Sequence, residues 1–490
     1  MKTILYIPLD ERFTTRDAFI HLAKLTPYKV ITPSRELLPS MKNPADIDKL
    51  HSWISKHIKK SDFLVLSAEM FLYGGLINSR LSFDKTELLL KRLDKIREYK
   101  KKNPSLKIYL STVIMRIPAY NLDAEEPDFW QWHGKDIFDY SYYNHRYKVL
   151  QNEKDIVKAC KIKKDIPDKY LDEFLWRRKR NHQLTKKILD YQKTLNLFEN
   201  IYITLDDNAD YGFNKEEEYI LRDIVKNNKL QDKVNIYPGA DEVGLTILAK
   251  LATTTKGIMP KFQLVYRNPE SRNYIPNYEG QSLDQTIKEQ ITGAGGFISQ
   301  DKDIILIINN FEQEKQQEAR EQSRNDDDQY QVFEDSLSQS KQLAFADLRY
   351  SNGGDLDFAE WIHKQQIELG AFSYAAWNTS GNTLGTVIAN SIILFLFNKK
   401  QENQHFNTIR FLEDVSYQSS IRTDLMNYIY KTSDSIFDLS NDLNFYTKFV
   451  SKQMEHEYKK LKKSYKLPYK LKKVYFPWKR TFEIGLELKE

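Results

Sequence analysis

Short apolar runs alternate with longer amphipathic stretches along most of this chain. Runs rich in β-branched and aromatic residues predict strands at 3–9, 29–32, 63–67, 107–114, 201–205, 234–237, 262–266, 304–308, 342–346 and 372–376. Stretches with helical spacing separate most of them, among them 15–25 and the charged segment 85–101. Parallel neighbours need long crossovers, so this alternation predicts an α/β protein with a mainly parallel sheet. Two architectures satisfy the pattern. The favoured one is a (β/α)8-like barrel with a helical insertion at 121–200. The alternative is a pair of doubly wound, Rossmann-like domains dividing near Gly257. On the barrel reading, residues 1–399 form a catalytic-type domain, and 400–490 a helical C-terminal region ending in a strand or arm.

Less regular stretches refine this outline. The polar tract 312–341, which contains Asp326-Asp327-Asp328, reads as solvated surface. No internal repeat is visible. The apolar stretch Thr383 to Phe397 is about fifteen residues long and contains Asn390, whereas a bilayer span needs ~20. It reads as a buried helix, with no membrane partner. The first apolar run is too short for a signal peptide, and a charged turn follows it at once. Cys160 is the only cysteine and cannot form an intramolecular disulfide, which fits a reducing compartment. The expectation is a cytoplasmic protein.

Charge adds little. The 74 basic and 68 acidic residues leave a net +6 over 490 residues, which gives no case for nucleic-acid or membrane binding. Arg177-Arg178-Lys179-Arg180 and the Lys-rich segment 459–473 read as solvated helix faces. There is no P-loop, no Gly-x-Gly-x-x-Gly fingerprint and no serine nucleophile elbow. Gly293-Ala294-Gly295-Gly296 follows a helix and reads as its C-cap. The nine histidines lack zinc-ligand spacing, and His133 alone sits in a plausible loop setting. No cofactor and no metal are assigned, and no oligomeric state.

Candidate chemistry lies at the predicted strand ends, where side chains of an α/β fold enter a shared crevice. These ends read Asp10-Glu11-Arg12, Ser67-Ala68-Glu69, Arg116, Asp206-Asp207-Asn208, Asp241-Glu242, Asp347-Leu348-Arg349 and Trp377-Asn378. Asp, Asn and Ser also serve as turn formers and helix caps, and Asp241, Asp355 and Asn382 each precede a helix. Capping does not call for paired carboxylates beside an arginine and a Trp-Asn step. Neighbouring carboxylates raise one another's pKa, which suits general acid–base chemistry. Asp206-Asp207 is the sharpest element: adjacent strand residues face opposite ways and converge only where the chain leaves the strand.

Asp10-Glu11-Arg12, Tyr73-Gly74-Gly75-Leu76-Ile77-Asn78-Ser79-Arg80, Asp206-Asp207-Asn208, Pro238-Gly239-Ala240-Asp241-Glu242, Asn352-Gly353-Gly354-Asp355, Trp377-Asn378-Thr379-Ser380-Gly381-Asn382 and Pro477-Trp478-Lys479-Arg480-Thr481-Phe482-Glu483 together resemble the bacterial proteins grouped as domain of unknown function 4127. The resemblance covers nearly the whole chain. Phe13 departs from it, since the family more typically has Pro after Asp-Glu-Arg. The resemblance implies no activity. A looser likeness does: if 29–32 lies outside the barrel, the carboxylate pair closes a fourth barrel strand, and with Trp-Asn at a later strand end this is similar to substrate-assisted β-N-acetylhexosaminidases.

That likeness implies a glycoside hydrolase in which Asp206 orients the substrate acetamido group and Asp207 is the general acid. Asp10, Arg12, Tyr73, Asp241, Asp347, Arg349, Trp377 and Asn378 would bind the small-molecule or oligosaccharide substrate. Two alternatives stand beside it. Asp10, Asp206, Asp241 and Asp347 could gather a divalent cation in a metal-dependent hydrolase or lyase. The chain could also be a non-catalytic sugar- or nucleotide-binding protein.

Overall fold

The computed structural model describes residues 1–323, 327–339 and 341–489. By its internal contacts the chain forms two compact units. The first comprises Met1–Glu11, Tyr28–Val243 and Tyr278–Gln281, and the second Arg12–Pro27, Gly244–Asn277 and Ser282–Glu490. The change of unit after Val243 falls at the start of the helix Val243–Lys256, ahead of the expected division at Gly257.

In the first unit, β1 (Thr3–Ile7), β2 (Lys29–Ile31), β3 (Phe63–Ser67), β4 (Lys107–Ile114), β5 (Asn200–Leu205) and β6 (Val234–Pro238) form one sheet in the order β2-β1-β3-β4-β5-β6. Every pairing is parallel. β3 and β5 are buried along their whole length, as a sheet covered by helices on both faces requires. Leu89, Leu93, Ile96 and Tyr99 bury one stripe of the helix Thr86–Lys102 against this core. Each such side chain contributes about 1.5–3 kcal/mol. The insertion forms three helices, Trp130–Leu150, Glu153–Asp165 and Asp168–Leu195, around a separate core that includes Trp130, Ile137, Leu171 and Phe174.

In the second unit, β7 (Lys261–Tyr266), β8 (Phe297–Ile298), β9 (Ile304–Asn310), β10 (Gln342–Leu348) and β11 (Phe372–Ala375) form a sheet in the order β11-β10-β9-β7-β8, again parallel throughout. The terminal segment is an antiparallel hairpin of β12 (Lys470–Tyr475) and β13 (Gly485–Lys489). Among the described residues β1–β11 therefore build two open parallel sheets, and no closed barrel is formed. The two sheets repeat one strand order. In each, the second strand lies on one side of the first, and the third and later strands on the other. This repeat has no counterpart in sequence self-similarity.

Several local expectations meet a different outcome. Arg177, Arg178 and Arg180 are buried, where a solvated face was expected. Arg178 pairs with Glu217 at 2.7 Å, Arg177 with Glu173 at 2.6 Å, and Arg180 donates to the carbonyls of Ser79 and Ser82. The polar tract is not all surface, since Tyr330 and Phe333 enter the core of the second unit. Asp326 lies outside the described residues. His133 sits in a helix rather than a loop. Thr379, not Asn382, caps the helix Ser380–Phe397. That helix is apolar and long enough to cross a bilayer, yet 83% of it is buried inside the protein. Its Asn390 Oδ1 accepts a hydrogen bond from Ser373 at 2.9 Å, which offsets the cost of burying that oxygen, while the buried Nδ2 has no hydrogen-bond partner among the described residues.

Candidate functional site

At the carboxyl end of β5 the chain leaves the sheet through Asp206 and Asp207. Asp207 takes a left-handed backbone (φ 36°) where the chain leaves the strand. The loop is held where Asn208 N–H donates to the Tyr278 carbonyl at 2.7 Å. The two carboxyls retain side-chain exposures of 20% and 21%.

Two arginines organise them. Arg80 comes from the short helix Leu76–Leu81, which follows Ala68–Tyr73 after a break at Gly74 and Gly75. Gly74 has φ 83°, and a Cβ there would lie 2.8 Å from the Ala45 backbone, so only glycine fits this turn. Arg116 follows β4. Arg80 Nη2 donates to Asp206 at 2.6 Å, and Arg116 Nη1 donates to Asp207 at 2.8 Å while lying 4.0 Å from Asp206. Glu126 Oε1 accepts from Arg80 Nη1 at 3.1 Å and from Arg116 Nε at 2.7 Å. Glu125 lies 3.4 Å from Arg80 and 3.2 Å from Arg116. Both guanidiniums are almost wholly buried, and charge-assisted hydrogen bonds of this kind contribute about 1.5–3 kcal/mol each.

Four carboxyls thus face two guanidiniums. Asp207 is pushed up to about 7, chiefly because burial penalises its charged form. Arg116 opposes that rise, while Asp206 and Glu125 reinforce it. The site therefore combines a carboxyl that holds its proton near neutrality with a second one fixed by an arginine. Such a pair can give a proton to a leaving group and orient a polar substrate atom.

The other candidates in the first unit occupy neighbouring strand ends. Asp10 is buried after β1, Tyr73 ends the helix Ala68–Tyr73 that follows β3, and Asp241 lies two residues before the helix Val243–Lys256. Tyr73 is engaged internally: its hydroxyl donates to Asn181 at 2.7 Å, and Arg180 lies 5.0 Å over its ring.

Arg12, Asp347, Arg349, Trp377 and Asn378 belong to the second unit. Arg12 lies 4.4 Å over the Trp478 ring. Asp347, at the end of β10, accepts from the Asp355 N–H at 2.8 Å, Tyr374 at 2.9 Å and Asn309 at 3.0 Å. Burial and the neighbouring Asp355 push it up to about 8. Asp355 caps the helix Leu356–Lys364 and accepts from Arg349 at 3.0 Å and Tyr330 at 2.6 Å. Trp377 is 1% exposed, with its ring 5.8 Å from Phe482. Asn378 has φ 58°, and its carbonyl accepts from Asn352 N–H at 2.8 Å.

Among the described residues, no group of three or more His, Cys, Asp or Glu side chains is arranged to hold a metal ion, and within the first unit Asp10, Asp206 and Asp241 form no such cluster. Sequence reasoning missed Glu125 and Glu126. Their signal was an adjacent acidic pair in the turn after β4, the strand beside β5. Arg80 and Arg116 were visible as motif residues, but their shared role needed the sheet order.

No curated protein and no solved structure matches this chain. The model of a family described as "Protein of unknown function (DUF4127)" matches residues 4–487, nearly the whole chain, and the protein belongs to that family.

Proposed function

We propose that the first unit is a hydrolase of glycosidic bonds, with Asp207 as general acid and Asp206 as the orienting carboxylate. The observation that carries this reading is the carboxyl pair at the end of β5, with Asp206 held by Arg80 at 2.6 Å and Asp207 by Arg116 at 2.8 Å; burial pushes Asp207 up to about 7. In the substrate-assisted form of the reaction, Asp206 accepts the acetamido N–H. The acetamido oxygen then attacks the anomeric carbon, and the leaving oxygen takes the Asp207 proton as its bond breaks. Asp207, now ionised, accepts a proton from the water that opens the cyclic intermediate. This restores both carboxyls and releases the sugar. Arg116 holds Asp207 in place through both steps. The reading rests on residues of the first unit alone.

The test is a screen of aryl N-acetylhexosaminides and other aryl glycosides at neutral pH. Turnover is expected, and Asp207→Asn is expected to lower kcat by roughly 10²–10⁴-fold while the folded circular-dichroism spectrum persists. Absence of turnover on every glycoside, or full activity in Asp207→Asn, would discard the assignment.

A further inference from the structure

Four residues past Asp207 the chain brings Tyr211 against aromatic rings of two helices, which the proposed chemistry leaves unused. The helix Trp130–Leu150 buries Trp130, Gly134, Ile137, Ser141 and His145 along one stripe. The adjoining stripe, shifted by one residue, presents Phe138 and Tyr142 half-exposed. Tyr211, four residues beyond Asp207 in the same loop, packs against this stripe. The Tyr142 and Tyr211 rings stand 5.5 Å apart at 81°, which makes a two-walled corner. His145 lies 5.9 Å from Tyr211 and 6.0 Å from Tyr219, a residue 47% exposed that has Lys215 Nζ over its ring at 5.3 Å.

The loop is anchored to the helix by its backbone. Gly212 N–H donates to His145 Nδ1 at 3.1 Å, and Phe213 N–H donates to Ser141 Oγ at 2.7 Å. Tyr211 is thus fixed against the helix in the short segment that begins with Asp206 and Asp207.

These rings offer apolar faces with hydroxyls at their edges, and Tyr142 also points its hydroxyl at Asp210, 3.5 Å away. An aliphatic lining would suit a lipid or an apolar peptide. A lining of tyrosine faces edged with hydroxyls and a carboxylate suits a sugar ring, whose C–H face stacks while its hydroxyls find partners. We infer that Tyr142, Tyr211 and Tyr219 form an extension of the substrate site that stacks on further sugar units, so that the substrate is an oligosaccharide and not an isolated monosaccharide. This rests on the glycosidic reading of the carboxyl pair.

Chain-length dependence tests it. Calorimetry of the Asp207→Asn protein with N-acetylglucosamine oligomers is expected to show tighter binding to the tetramer than to the monomer, a gain that Tyr211→Leu removes and Tyr211→Phe keeps. Wherever turnover is measurable, the tetramer-to-monomer ratio of kcat/KM is expected to fall about tenfold in Tyr211→Leu, equivalent to about 1.4 kcal/mol. Turnover of aryl monosaccharides, with no gain from longer oligomers in either assay, overturns the extension and leaves the acid assignment standing. Length-dependent binding without turnover supports the extension and removes the acid assignment. Should Tyr211→Leu unfold, Tyr142→Leu gives the same reading from the helix side.

Discussion

Asp207 derives its proton-holding character from desolvation first and from like charge second, while Arg116 pulls the other way. Removing that arginine therefore has a definite sign. In Arg116→Met the acid loses its main stabilising cation, and its pKa moves further up. The alkaline limb of kcat/KM, which reports the protonated acid in the free enzyme, is then expected to shift to higher pH. A pH–rate profile across the neutral range measures this. An unmoved limb would mean that another group controls it. Arg80 acts less than Arg116 on Asp207; its own contact is to Asp206, where the 2.6 Å hydrogen bond fixes orientation. Its loss is expected to appear mainly as weaker substrate handling. The difference between these two arginines could not be read from the sequence, where both are single basic residues past a strand or turn. Each acquires its role from the carboxyl that β5 brings beside it.

At the scale of elements, turn chemistry proved a dependable guide wherever one residue and its near neighbours decide the outcome. Gly295 ends the helix Leu283–Ala294 with φ 89°, as its position after that helix led one to expect. A Cβ there would lie 2.2 Å from Thr253 Oγ1. Gly295→Ala therefore adds a steric clash to the cost of a left-handed backbone. A loss of more than about 1 kcal/mol in denaturant unfolding is expected. A variant as stable as the parent would show that the helix ends differently. Asp355 likewise caps its helix as its place before Leu356 suggested. Asn382 failed the same test because Thr379, three residues earlier, accepts its N–H and takes the cap position. Where two capping residues fall within one turn, local sequence does not choose between them.

The second unit holds buried groups whose titrations oppose one another. Asp347 and Glu413 are pushed up to about 8 by burial, and Asp414 to about 6. A carboxyl raised in the folded state favours folding below its unfolded pKa of about 4, and that contribution is lost as pH rises through the folded value. His363 and His405 are lowered to about 4 by burial. Their contribution is full above the unfolded value of about 6.5 and is lost as pH falls towards 4. Above pH ~6.5 the histidines no longer contribute a slope, and the carboxyls alone act. Stability is thus expected to decline between pH ~6.5 and 9, with a shallower decline in Asp347→Asn, which removes one titrating proton. Urea midpoints measured across that range check this. Equal slopes in the two proteins would show that Asp347 is ionised in the folded state.

The sequence by itself determined ten of the strands, the helical character of 121–200, the buried apolar helix and the placing of acidic residues at strand ends. Each depends on periodicity or turn chemistry within a few residues, and a side chain's preference for one face survives any global arrangement. Tertiary structure alone decided that the strands form two open sheets with a shared order. Alternating strand and helix looks the same along the chain whether the sheet closes or stays open, and only long-range pairing distinguishes them. It also decided that Arg177, Arg178 and Arg180 lie buried, and that Glu125 and Glu126 join Asp206 and Asp207 around two arginines. Charge marks a residue as costly to bury, but whether it is buried depends on partners that lie far away in the chain.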